Sequence, residues 1–457
     1  MKPRKMTKTD LLLPEKSLEM ISDLIEKCIK AGADSADAIV GGGTAISASC
    51  RLGKLENFER SESWELGLRI LIGNRQAIVS SADPSHDTFH DLISKAIDMA
   101  RAVPEDPFVG LASPGQLVAT IPDLDECDPL EPSVKSLINR ARQAEDAART
   151  VPGITNSEGA ETSWSNAWIA LAGSNGFAQI RASSRHSLSL SVIAGEGTSM
   201  ERDYDFVSTV WDEDMPDPSI IGQNTGARAV RRLNPRKAET ARVPVIFSPR
   251  VANTLLHHLS ASINGSNVAR GTTFLKNDLH SKVFSKEVSI FDNPLRLRGL
   301  RSKPFDAEGL KTEKRAIISE GTLTTWLLSL ASARQLGLQS TGHASRSPAS
   351  SPSPSATNFF MAAGPLSRDS LISNIKSGIF VTELIGMGVN LVTGDYSRGA
   401  SGFWIDNGEI SHPVNEVTIA GNLKDMYANL VPASDLEFLY GFNAPTVCID
   451  GMTVAGR

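Results

Sequence analysis

Residues 386–408 read Gly-Met-Gly-Val-Asn-Leu-Val-Thr-Gly-Asp-Tyr-Ser-Arg-Gly-Ala-Ser-Gly-Phe-Trp-Ile-Asp-Asn-Gly. Six glycines in 23 residues, interleaved with Val, Leu, Tyr, Phe and Trp, mark a bent sheet or a place where another backbone comes close. The pattern predicts a strand, a polar turn at Gly394-Asp395-Tyr396-Ser397-Arg398-Gly399, and a second strand closed by the hairpin signal Asp406-Asn407-Gly408. A phosphate-binding loop is excluded, because no Lys follows the glycines and strand-like residues come next in place of a helix. A Gly-x-Ser-x-Gly nucleophile elbow is missed by one residue at Gly399-Ala400-Ser401-Gly402. The stretch therefore reads as a groove in a sheet, one that bends the sheet or receives an extended peptide.

The run 388–410 resembles the TldD/PmbA peptidase family, in its PmbA (TldE) branch. Pro413–Met426, Pro304-Phe305-Asp306-Ala307-Glu308-Gly309, Thr325-Trp326-Leu327-Leu328 and Ser332-Ala333-Arg334-Gln335-Leu336-Gly337 match the same branch. The likeness extends over essentially the whole chain and is strongest after Val243.

Composition agrees with a globular reading. With 457 residues, 40% hydrophobic and 21% charged, the chain has ample length for two or three packed domains. A net charge of −6 argues against sequence-independent nucleic-acid binding, which rests on clustered Lys and Arg. Leu11-Leu12-Leu13 followed by Pro14 is too short for a signal-peptide core, and no apolar run approaches the ~20 residues of a membrane span. Cys28, Cys50, Cys127 and Cys448 lack paired spacing, which predicts free thiols and a cytoplasmic protein.

Periodicity predicts an α+β chain of two domains, residues 1–240 and 241–457, each with a largely antiparallel sheet covered by helices. A helix is expected over Glu15–Ala31, where Leu18, Ile21, Leu24, Ile25 and Cys28 share one face. Strands follow over Ala36–Arg51, Lys54–Arg60 and Trp64–Val79, with a turn near Gly73-Asn74. Helices are expected over Pro84–Val103, Pro132–Thr150 and Ile220–Leu233, and Asn175-Gly176 joins two strands. Pro249 opens a further helix behind Ser248. The Ser- and Pro-rich run 345–357 predicts a mobile surface loop.

The candidate chemistry lies on the helix after Pro249. In TldD-type relatives this position carries a His-Glu-x-x-x-His zinc motif. The resemblance puts its first histidine on His257, its glutamate on His258 and its second histidine on Ser262. A zinc hydrolase needs about three protein ligands, an open position and a base beside the bound water. His257, His258 and Ser262 fall short of that set, so no catalytic residue, metal ligand or cofactor is expected in this chain.

The family's cysteine near the carboxyl end corresponds to Cys448, which sits in an alternating strand and reads as core. His86 and His90 have i, i+4 spacing but no partner ligand, and read as a solvated helical turn. Asp395 and Arg398 would stabilise a turn or orient a peptide; Asp123, Asp125 and Glu126 read as a solvated loop.

The resemblance thus implies the partner subunit of a metallopeptidase. The zinc would reside in a TldD-type subunit that cleaves unfolded or peptide substrates, leader peptides of modified peptide antibiotics among them. Residues 386–408 would line the cleft or the interface, and the isolated chain would form a homodimer. Two other classes stay open: a peptidase active by itself, and a non-hydrolytic regulator of the kind named modulator of DNA gyrase.

Overall fold

The computed structural model describes residues 13–83 and 87–456. The first half is built on one six-stranded antiparallel sheet, with β1 (Ser35–Arg51), β2 (Lys54–Ile72), β3 (Arg75–Ser81), β4 (Ile154–Gly173), β5 (Ala178–Ala194) and β6 (Glu201–Thr209) in the order β3-β2-β1-β4-β5-β6. The two strands expected over Lys54–Arg60 and Trp64–Val79 are divided differently. β2 runs unbroken to Ile72, and Gly73-Asn74 turns it into β3.

Four helices follow from capping and periodicity. α1 (Pro14–Lys30) has Pro at its first position, and α2 spans Asp87–Ala102. α3 (Val134–Arg149) and α4 (Pro218–Arg231) are capped by the Ser133 and Asp217 side chains. The alternation of β1 explains where they lie. Ala36, Ala38, Val40, Ile46, Ala48 and Cys50 face the helices, and all are buried. Ile21, Leu24, Leu66, Leu68 and Ile70 complete that layer, each worth roughly 1.5–3 kcal/mol on burial. The opposite face of the sheet carries Asp37, Ile39 and Leu171, and packs on the second half through Phe177 and Phe305, whose rings lie 5.3 Å apart.

In the second half, β7 (Ala241–Phe247), β8 (Ser377–Ile385), β9 (Asp395–Asp406), β10 (Glu409–Asn422) and β11 (Val447–Ala455) pair in the order β10-β9-β8-β7-β11. β10 also pairs with β11 through Thr418↔Ala455 and its neighbours, which closes the ring of backbone pairing. Helix α5 (Pro249–Ser262) packs on this sheet through Val251, Ala252, Leu255, Leu256 and Leu259. A smaller five-stranded sheet is made from residues 290–292, 315–319, 322–323, 359–361 and 442–443.

Two expectations are corrected here. The Ser/Pro run 345–357 is anchored in the structure at both ends and by buried prolines, with only Ser347, Ala349, Ser351 and Ser353 exposed. Pro352, Pro354, Ala356 and Thr357 are buried, and Ser353 and Pro354 pair with Ala344 and Ser345. Arg346 reaches Asp37 at 2.6 Å, and a side chain at Gly67 would collide with the Pro348 carbonyl. The acids expected in a solvated loop are paired: Asp125 reaches Arg298 of the second half at 2.6 Å, and Glu126 pairs with Arg181 of the first-half sheet at 2.6 Å.

Candidate functional site

Residues 394–399 form the start of a strand and not a turn. Gly394 has φ +85°, a left-handed conformation that only glycine adopts without strain, and β9 begins at the next residue. Both edges of this segment are occupied by the chain itself. On one side Asp395↔Asn422 and Tyr396↔Gly421 continue the ladder to β10; on the other, Ser397 N donates to Gly388 O at 2.7 Å and Asn390 N to Asp395 O at 2.9 Å. An extended peptide therefore finds no free edge at Gly394–Gly399, and the strand-addition expectation is corrected.

Strand alternation sorts the side chains. Asp395 and Ser397 are exposed, and Asp395 accepts from Thr393 Oγ1 at 2.6 Å and Asn422 Nδ2 at 3.1 Å instead of pairing with Arg398. Tyr396 and Arg398 point the other way, toward α5, and Tyr396 is 1% exposed. There the Tyr396 ring meets the His258 ring edge to face, with centroids 6.2 Å apart.

Of the degenerate zinc-motif positions, Ser262 is buried, His258 is half-buried and His257 lies on the exposed side of α5. His257 stacks on Phe442 with centroids 4.0 Å apart, and the Arg301 guanidinium lies over the other partner in that stack, 5.4 Å from the Phe442 centroid. Ser262 is fully buried; its hydroxyl donates to His258 O at 2.8 Å. Burial, followed by the charge of Arg301, holds His257 below the ordinary imidazole pKa. For His258, burial and then Arg398 and His257 push the pKa down to about 4.

This donor set does not fit zinc. A dication here would face Arg301 on the His257 side and Arg398 on the His258 side, and no carboxylate or thiolate charge acts on either imidazole, Asp292 acting on Arg301 instead. Among the described residues, no group of three His, Cys, Asp or Glu side chains converges as a metal site would. Cys448 lies on β11 opposite Ile246, packed on an apolar cluster, and burial raises its thiol to about 11. His90 is exposed, at 94% of its side chain, and His86 lies outside the described residues.

Comparison with known proteins settles the family. Models of the PmbA/TldA metallopeptidase match in three parts: domain 1 over residues 36–100, the central domain over 127–233 and the C-terminal domain over 240–456. The metalloprotease PmbA of Escherichia coli O157:H7 is 40% identical over 426 residues, 93% of each chain. The chain belongs to the PmbA/TldD metallopeptidase family, in its PmbA branch. A PmbA homolog of Haemophilus influenzae is 36% identical over 460 residues, the full length of both chains. Among solved structures, a protein of Bacteroides thetaiotaomicron provisionally described as a modulator of DNA gyrase superposes with TM-score 0.88 at 25% identity, covering 99% of this chain and 100% of that one. TldE of Thermococcus kodakarensis shares the fold, with TM-score 0.85 over 95% of this chain and 99% of that one at 20% identity.

In this PmbA/TldD-family chain, Arg301 and Phe442 escaped the sequence reading. Each is brought to α5 by long-range topology, which no local pattern in the sequence signals. In sequence Glu308 is one acid of the Pro304–Gly309 run. In the structure Glu308 is 9% exposed beside Arg69 and Asp37, and accepts from Leu330 N at 2.8 Å. Asp306 organises the same turn by accepting from Glu308 N, Leu310 N and Ala344 N at 2.9–3.1 Å.

Proposed function

We propose that this chain is the non-catalytic subunit of a cytoplasmic two-subunit peptidase, paired with a TldD-type subunit that carries zinc. The observation that carries this reading is the charge at α5. Where the family's motif would gather ligands around a dication, this chain presents a stacked His257, a back-bonded Ser262 and two arginines. The substrate class is unfolded protein or peptide, leader peptides of modified peptide antibiotics among them, and the isolated chain forms a homodimer through surface that the partner otherwise covers. The family membership supports the peptidase part, and the metalloprotease names of the relatives support placing metal chemistry somewhere in the assembly.

Metal analysis and peptidase assays on this chain, alone and co-purified with a TldD-type subunit from the same source, test the proposal. Alone it is expected to hold far less than about one zinc per chain and to leave peptides intact; the pair is expected to hold zinc and cleave. A stoichiometric zinc on the isolated chain that disappears in His257→Ala would overturn it. A regulator without any peptidase role would instead leave the partner's activity unaltered on addition.

A further inference from the structure

Three polar atoms in the second half are buried without a hydrogen-bond partner, Tyr396 Oη, Arg398 Nε and His258 Nε2, on side chains that neighbour one another: the Tyr396 and His258 rings lie 6.2 Å apart, and the Arg398 charge acts on both. Buried polar groups are almost always paired, so three orphans in one place call for an occupant. Tyr396 itself is 1% exposed, whereas His258 and Arg398 are half-buried and carry the cluster toward the surface. Arg398 makes no ion pair among the described residues, although its charge acts on both the imidazole and the phenol.

The chemistry of the three groups is one-sided. A guanidinium only donates, a phenol can donate, and the neutral imidazole donates from Nε2 in one of its tautomers. Nothing here accepts strongly, and the nearest formal charge is positive. An acceptor-only, anionic partner satisfies all three, and a planar carboxylate matches the guanidinium fork. The frame is rigid: Tyr396 and Arg398 alternate on one face of β9, whose edges are both paired, and His258 is held on α5, which Tyr427 Oη ties down by donating to Leu255 O at 3.1 Å.

We propose that Arg398, Tyr396 and His258 form a carboxylate-binding site that receives a peptide's α-carboxylate or an acidic side chain. The identification of a peptide as the source of the carboxylate rests on the function proposed above. The site itself does not, and its test needs neither the partner nor cleavage.

Isothermal titration calorimetry on the full chain reads it directly, with acetyl-Ala-Ala, its C-terminal amide, acetyl-Glu-amide and inorganic phosphate as probes at constant ionic strength. One of the two carboxylate probes should bind about tenfold or more tightly than the amide, and which one binds tells a chain end from a side chain. Arg398→Gln should abolish that difference. Tyr396→Phe keeps the ring in the core, so it should weaken binding severalfold while leaving the melting temperature unchanged. Equal binding of acid and amide, binding of phosphate as tight as of either carboxylate, or no loss in Tyr396→Phe with its fold intact would overturn the proposal. So would a high-resolution structure with ordered water bridging the three atoms in the presence of the peptide acid.

Discussion

Glu308 lies in a low-dielectric pocket beside Asp37, and its carboxyl is harder to ionise there than in water. Burial, and then the charge of Asp306, push its pKa up to about 8, against which the Leu330 N–H and Arg69 pull only partly. Burial raises the pKa of Asp306 as well, and the three backbone N–H groups that converge on it offset that only in part. The sign for stability follows. The unfolded chain loses the Glu308 proton above pH 4.5 and the folded chain holds it to about 8, so stability falls as pH rises between those values and is flat outside them. Glu308→Gln should remove up to about 1.4 kcal/mol per pH unit of that slope, measured by urea unfolding between pH 5 and 8. Identical slopes in the variant and the parent would mean that Glu308 is ionised at neutral pH. Only the neighbouring Asp306 was legible in sequence; the burial, and the charges of Asp37 and Arg69 more than 200 residues away, are set by the fold.

Elements with strong local signals were legible. Leu18, Ile21, Leu24, Ile25 and Cys28 predicted α1, and Asn175-Gly176 marked the β4–β5 hairpin, because each signal is written in neighbouring residues. The start of β9 and the run 345–357 misled for the converse reason. Glycine, serine and proline signal turns locally, but here the order comes from distant partners: Asn422 across from Asp395, and Asp37 holding Arg346. The glycines of β9 now separate into two kinds. Gly394 has φ +85° and a Cβ there would sit 2.8 Å from Asn422 Oδ1, whereas Gly399 has ordinary strand φ and open contact with Ile385 at 3.4 Å. Gly394→Val should therefore cost about 1–3 kcal/mol of folding stability, and Gly399→Ala less than about 0.5 kcal/mol. Denaturant midpoints for the two variants check this, and equal losses would remove the distinction between backbone conformation and mere proximity.

At the scale of the whole molecule, buried charge bridges the two halves. Burial disfavours ionisation of Asp203 on β6, yet Arg250 from α5, with Arg228 and Arg232, holds its carboxyl below the usual range. Asp37 on β1 is likewise buried, and Arg346 and Arg69 hold it ionised; it accepts from Arg346 at 2.6 Å and from Arg69 Nε at 3.1 Å. Such pairs contribute little net stability when complete, but removing one partner leaves buried charge uncompensated, at about 3–5 kcal/mol.

Asp37→Asn is the sharpest use of that asymmetry. It strands Arg69 and Arg346, one from each half, so the loss should fall on the molecule as a unit. Calorimetry should show one unfolding transition, shifted down as a whole; two transitions of which only one moves would mean that the halves unfold independently. The same substitution removes a negative charge that raises the pKa of Glu308 and leaves Arg69 free to lower it. Glu308 should then ionise at lower pH and take over part of the countercharge. The fall in stability between pH 5 and 8 should accordingly be shallower in Asp37→Asn than in the parent, and the double variant with Glu308→Gln should be less stable than the two single losses added together.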